Sequence, residues 1–220
     1  MNFNTALKLF EHTLAQAERA RPDIHAGMRE LADPATIEQA NGAVSIGLAL
    51  GQRIWLTSDL HLGHANIIGY CDRPFGDTNT MNEALVSLLT KVDTDSVLVI
   101  LGDLAMGDHD RAADWVRRIP GRKILVVGNH DFTRAGQCRW RTERDAAGEP
   151  LFTHVVPFLF WPGPHGRSVL ATHYPVSLPK DHKVPLLNYH GHLHRQVLAP
   201  TETVKYMNVG WDVDYCLRCL

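Results

Sequence analysis

The stretch Ile124-Leu125-Val126-Val127-Gly128-Asn129-His130-Asp131 runs four aliphatic residues straight into a glycine and three polar side chains. A short aliphatic run bounded by turn residues reads as a buried strand. Glycine followed by asparagine ends strands routinely, so taken alone this segment specifies only a strand terminus. The same pattern recurs along the chain. Ile54 to Thr57 leads to Asp59 and His61, Val97 to Leu101 to Gly102-Asp103, Val169 to Thr172 to His173, and Leu186 to Tyr189 to His192 and His194. Five apolar runs therefore end in side chains of the metal-ligating type.

Helical patterns separate the first three runs. Met81, Leu85, Leu88, Leu89 and Val92 make one apolar face, and Trp115, Val116 and Ile119 make another that Pro120-Gly121 terminates. This β-α-β-α-β series predicts an α/β fold. Beyond Leu151, the runs Val155 to Trp161 and Ser168 to Thr172 flank Pro162-Gly163-Pro164-His165-Gly166, as a hairpin would, with further strands expected at Leu186 to His190 and Val204 to Val209. Crossover-linked strands followed by hairpin-linked strands imply a mixed sheet or two packed sheets.

The N-terminal part is plainer. Phe3, Leu7, Phe10 and Leu14 predict an amphipathic helix over residues 3 to 20, with Arg19 and Arg21 near its end and Pro22 stopping it. A second helical pattern follows Asp33-Pro34, and Asn41-Gly42 marks a turn before an expected strand at Val44 to Leu50. No ligand-type cluster occurs here. The expected organisation is a helical packing or oligomerisation extension over residues 1 to 50 and one catalytic domain over residues 51 to 220.

Composition narrows the classes of function. The 220 residues are 45% hydrophobic, which suits one full core, and the net charge of −2 with no long single-sign run argues against electrostatic capture of nucleic acid or membrane. No segment approaches the roughly 18 apolar residues of a membrane span, so the expectation is a cytoplasmic protein with its oligomeric state left open. Cys71, Cys138, Cys216 and Cys219 are too scattered for a disulfide framework and read as reduced thiols.

In open α/β folds, ligands bind beyond the carboxyl ends of the strands, which is where the polar clusters fall. Together they offer Asp59, Asp103, Asn129, His61, His173, His192 and His194, with His130 beside them. This mixture of oxygen and imidazole donors suits Mn, Fe, Zn, Co or Ni and is too nitrogen-rich for Ca or Mg. Seven donors exceed the needs of one metal. Two ions about 4 Å apart, sharing a carboxylate, can hold a bridging hydroxide and clamp a phosphoryl oxygen, so phosphoester hydrolysis is the expected chemistry.

The ordered set Asp59-Leu60-His61, Gly102-Asp103, Gly128-Asn129-His130-Asp131, His173 before Tyr174-Pro175, and Gly191-His192-Leu193-His194 resembles the calcineurin-like metallophosphoesterases over roughly residues 53 to 212. The resemblance implies a four-layer sandwich of two mixed β-sheets flanked by helices. It also implies one metal held by Asp59, His61, Asp103 and His194, and a second held by Asp103, Asn129, His173 and His192. Asp103 would be the bridge and His130 would face the substrate. Manganese is the favoured ion. Leu104 to Asp108 departs from the Asp-Arg-Gly continuation of the protein serine/threonine phosphatases and from the tyrosine ligand of purple acid phosphatases. The segment from Gly63 to Phe75 is similar to small bacterial and phage phosphoesterases, with His64, Asn66 and Arg73 expected to line the substrate pocket. The expected substrate is a small phosphodiester or nucleotide. A nuclease is the alternative enzyme, nucleic acid being less favoured, and a non-catalytic protein-binding scaffold on the same fold is the alternative from another class.

Overall fold

A computed structural model describes residues 1–17 and 21–220. Three helices come first: α1 (Phe3–Gln16), α2 (Pro22–Glu30) and α3 (Pro34–Ala49). The α/β series follows as β1 (Ile54–Thr57), α4 (Ala65–Tyr70), α5 (Thr78–Leu89), β2 (Val97–Ile100), α6 (His109–Arg117) and β3 (Arg122–Val126). Then come β4 (His154–Val156), β5 (Phe158–Pro162), β6 (Ser168–Thr172), β7 (Leu186–His190), β8 (Val204–Asn208), α7 (Trp211–Asp214) and β9 (Arg218–Cys219).

Two mixed sheets result. The first has the order β4-β3-β2-β1-β9, with β1 to β4 parallel and β9 antiparallel on the far edge. The second has the order β5-β6-β7-β8, antiparallel between β5 and β6 and parallel thereafter. Of the expected hairpin-linked strands, only β5 and β6 pair that way. β6, β7 and β8 run parallel because the long segments 173–185 and 191–203 return the chain to the same end of the sheet. The run Val155 to Trp161 also divides. Pro157 breaks it, having no N–H to give a ladder, and the chain leaves β4 in the first sheet for β5 in the second.

Sequence expectation and structure also part at the N-terminus. α1 ends at Gln16, and Arg19 lies outside the described residues. Pro22 begins α2 rather than ending α1, since the missing N–H costs nothing in a first helical turn. Asn41-Gly42 makes no turn: both residues lie inside α3, and the Asn41 side chain accepts a 2.8 Å hydrogen bond from the Phe160 amide. A tertiary partner has overridden a local turn preference. In a strand, Val44, Ile46, Leu48 and Leu50 would share one face. In α3, Val44 is fully buried whereas Ile46 and Leu50, just past the helix end, are 61% and 71% exposed. α3 touches β1, β2, β4 and β5, so it lies against both sheets, and α1 packs Phe10 on Phe158 at 5.1 Å between ring centroids. These helices and the sheets share one apolar core.

Val44→Asp should therefore cost about 4 kcal/mol or more, the scale of an unpaired buried charge, while Leu50→Asp should stay within about 0.5 kcal/mol. Urea unfolding measures both, and equal losses would mean that the two side chains share a buried face.

Candidate metal centre

The strands deliver the site. Asp59 follows β1, Asp103 follows β2, Asn129 follows β3, His173 follows β6 and His192 follows β7, so the carboxyl ends of five parallel strands meet. Beyond β1 and β2, pairing continues irregularly, with the His61 amide donating to the Asp103 carbonyl at 3.0 Å. Asp59, His61, Asp103, His192 and His194 all adopt positive φ, between 49° and 68°. Such conformations cost side-chain-bearing residues about 1–2 kcal/mol each and cluster where function demands them. Here they turn strand ends sharply enough to aim successive donors inward.

Glycines let the strand ends approach. A Cβ on Gly102 would come 2.5 Å from the Gly128 nitrogen, one on Gly128 would strike the Asp103 carboxylate, and one on Gly191 would strike Ser58 Oγ. The glycine before each of Asp103, Asn129 and His192 is thus required by the neighbouring chain, beyond its role as a strand stop.

Two groups of side chains can each hold a metal ion. The donor atoms of Asp59, His61 and His194 lie within 4.8 Å of one another, as do those of Asp103, His173 and His192. Asn129 joins the second group, its Oδ1 3.2 Å from His173 Nε2. The groups meet at Asp103, whose Oδ2 is 3.6 Å from His61 Nε2 and 3.4 Å from His173 Nε2. His130 is more open than these: its amide donates to Asp103 Oδ1 at 2.8 Å and its Nε2 is 4.0 Å from Oδ2.

The donor set fits a cation. Asp59, Asp103 and Asp131 are buried together, and among the described residues the buried guanidinium nearby, Arg73, is already paired with Asp212. Carboxylates buried without a cation are costly. His61 Nε2 is buried without a hydrogen-bond partner. Burial pushes the imidazoles of His61 and His192 down to about 3, leaving them neutral and able to ligate at neutral pH. Burial opposes charge on His173 too, but the charge and hydrogen bonding of Asp103 override it and lift that imidazole to about 9. Burial raises Asp59. It would raise Asp103 as well, but His173, His61 and His130 together hold that carboxyl well below the usual range.

Several supporting residues carry no role in the sequence reading. Asp131 accepts from the amides of Asp103 at 3.0 Å, Leu104 at 3.0 Å and Gly128 at 2.7 Å, stapling the β2 and β3 loops. Burial, then the charge of Asp103, raises it to about 7. Asp212 accepts from His194 Nδ1 at 2.8 Å, which orients that ring, and the Leu101 carbonyl does the same for His173 Nδ1 at 2.8 Å. Asp131 is visible in the Gly-Asn-His-Asp stretch; nothing local distinguishes Asp212 from the exposed Asp214.

The expected pocket residues separate. His64 reaches the centre, its Nδ1 3.3 Å from His61 Nδ1. Asn66 is exposed on α4, in a shallow groove with Tyr70 and Thr78. Arg73 does not face a substrate phosphate. Its Nε and Nη2 pair with Asp212 at 2.7 and 2.9 Å, and Nη1 and Nη2 donate to the carbonyls of Leu60 and Asp59 at 2.8 and 2.6 Å. The fork expected to bind phosphate instead fixes the loop that carries Asp59 and His61. Cys71 stands near His194 and Asp212, but burial raises its thiol to about 11 and both Asp212 oxygens are engaged.

Oxygen and imidazole donors gathered at the strand ends of two mixed sheets define a centre suited to divalent metal ions. The model of the calcineurin-like phosphoesterase family matches residues 52–211, and the chain belongs to that family. It is 30% identical over 190 residues to the gene 66 protein of Mycobacterium phage L5, covering 72% of this chain and 86% of that protein. An uncharacterized protein of Methanocaldococcus jannaschii is 37% identical over 83 residues, which is 36% of this chain and about half, 47%, of the archaeal protein. A crystal structure of a protein of unknown function from Aquifex aeolicus shares the fold, with a TM-score of 0.54 at 22% identity, covering 76% of this chain and 95% of that one. No described helix is long and apolar enough to cross a membrane.

Asp212→Asn should weaken divalent-metal affinity about 10-fold to 100-fold through misorientation of His194. Titration calorimetry on folded protein checks this; unchanged affinity would remove Asp212 from the support of the centre.

Proposed function

We propose that the protein hydrolyses small phosphodiester or nucleotide substrates with two divalent transition-metal ions, manganese being favoured. Asp59, His61 and His194 hold one ion, Asn129, His173 and His192 hold the other, and Asp103 belongs to both sets. The observation that carries this reading is the placement of Asp103 Oδ2 between the two groups, within 3.6 Å of an imidazole from each. When bound, the ions would supply positive charge to the phosphoryl oxygens and activate the attacking water.

The chain's own residues do the rest. Asp103 draws the imidazoles of both groups toward one point. Asp131 and the left-handed turns fix the loops before substrate arrives, so little reorganisation accompanies the reaction. His130, held by its amide on Asp103 and open on its other side, faces the substrate. Its imidazole donates a proton to the leaving oxygen or stabilises charge on the phosphoryl group.

Elemental analysis of active protein should find two transition-metal ions per chain, and chelation should abolish turnover, with manganese restoring it best; one ion or none would reject the dinuclear reading. Asp103→Asn should lose more activity than Asn129→Asp, because it removes charge shared by both groups while the second change keeps a ligating oxygen.

His130→Ala should keep both ions while kcat falls about 100-fold to 10,000-fold. A smaller loss for nitrophenyl esters than for alkyl esters identifies proton donation; an equal loss identifies charge stabilisation. Metal loss from folded His130→Ala protein would place this histidine among the ligands.

A further inference from the structure

A cavity of about 270 Å³ adjoins the metal centre on the side of His130, with Asn129 and His130 in its wall. Arg21, Arg134 and Arg139 also line it. Asp108 and Asp131 share the lining, but their hydrogen-bonding capacity is largely engaged. Both Asp131 oxygens are taken by backbone amides, and Asp108 Oδ1 caps α6. Arg139 pairs with Asp110 at 2.9 Å at the surface, whereas Arg21 and Arg134 have no carboxylate partner among the described residues. Guanidinium groups on a concave wall suit phosphate, which they bind in bidentate fashion.

The two chain segments that carry these arginines are locked together. A Cβ on Gly27 of α2 would strike the Gly136 carbonyl, and one on Gly136 would strike the Asp23 carbonyl. This backbone contact fixes Arg21 relative to Arg134. Arg21 thus shares the cavity wall with Asn129 and His130 of the centre. The N-terminal segment contributes to the pocket as well as to packing.

We infer that this cavity binds a second phosphate on the leaving part of the substrate, with Arg21 and Arg134 selecting for it. The substrate class is then a phosphate ester or anhydride whose leaving group is itself phosphorylated, such as a nucleotide bearing two phosphates. The inference rests on the hydrolysis proposed above. In that reaction the scissile P–O bond breaks, water supplies the new oxygen on phosphorus, and the leaving oxygen takes a proton beside His130.

The test is calorimetric titration of the manganese-loaded full chain, at fixed free manganese, with AMP and with α,β-methylene-ADP as probes of one and two phosphates. Wild type should bind the second probe about tenfold or more tightly than the first, the worth of one charged hydrogen-bonding contact. Arg21→Ala and Arg134→Ala should each remove most of that preference and leave AMP affinity within about twofold. Arg118→Ala, whose arginine pairs with Glu83 away from the cavity, should change neither. Arg134→Glu, on an exposed loop, decides the matter if Arg21→Ala disturbs α2. Equal affinity for both probes, or a preference that survives every substitution at Arg21 and Arg134, overturns the inference. An arginine-dependent preference in protein that hydrolyses no phosphoester supports the binding site and rejects the proposed reaction instead.

Discussion

The structure turns on one buried carboxylate. Asp103 sits at the end of β2, 2% exposed, with imidazoles from both sheets converging on it. A charge in that position must be compensated, and among the described residues the buried guanidinium nearby, Arg73, is already committed to Asp212. The loop around it is built to hold the charge in place: Asp131 grips its amide, and its own carboxylate grips the amide of His130. The adjoining glycines clear the space that this packing needs. Remove the requirement for a charge there, and the left-handed turns, the stapling carboxylate and the bare strand ends lose their reason together.

The supporting interactions are arranged outward from that point. Arg73 and Asp212 form a fully buried ion pair that touches both the backbone beside Asp59 and the ring of His194. Such a pair contributes little net stability by itself, because desolvation offsets most of the attraction. Its value lies in geometry. Each guanidinium donor has a defined acceptor, so the first ligand loop and the histidine opposite it are held to one spacing. An arginine there orders the protein rather than its substrate.

Legibility from sequence followed the same division. The donors at strand ends could be read because the chemistry demands particular side chains, and five recurrences in order are hard to produce by packing alone. The alternation of strands and helices from Ile54 to Val126 could be read because apolar periodicity is local. What could not be read depended on partners far along the chain. Asn41-Gly42 has the composition of a turn, and only the amide of Phe160 reveals why it sits in a helix. Arg73 meets Asp212 across 139 positions, so its side chain looked free to bind phosphate. The parallel return of β6 to β8 was hidden because long connections without helices carry turn signals much like those of a hairpin.

The placement of β9 and α7 bears on how the chain is made. β1 leaves the ribosome before every other strand described, yet one of its edges is covered by β9, which forms from Arg218–Cys219, and its ligand loop is held through Arg73 by Asp212 of α7. Between those two moments the nascent chain carries an apolar strand with an open edge, a template for pairing with other chains. The helices made before it supply a partial remedy. α3 is complete when β1 emerges and packs against it, so part of its apolar surface has a cover before its final neighbour exists. A segment that looks like an ornament on the finished fold would then act during synthesis as an internal guard for the strand on which the metal centre is founded.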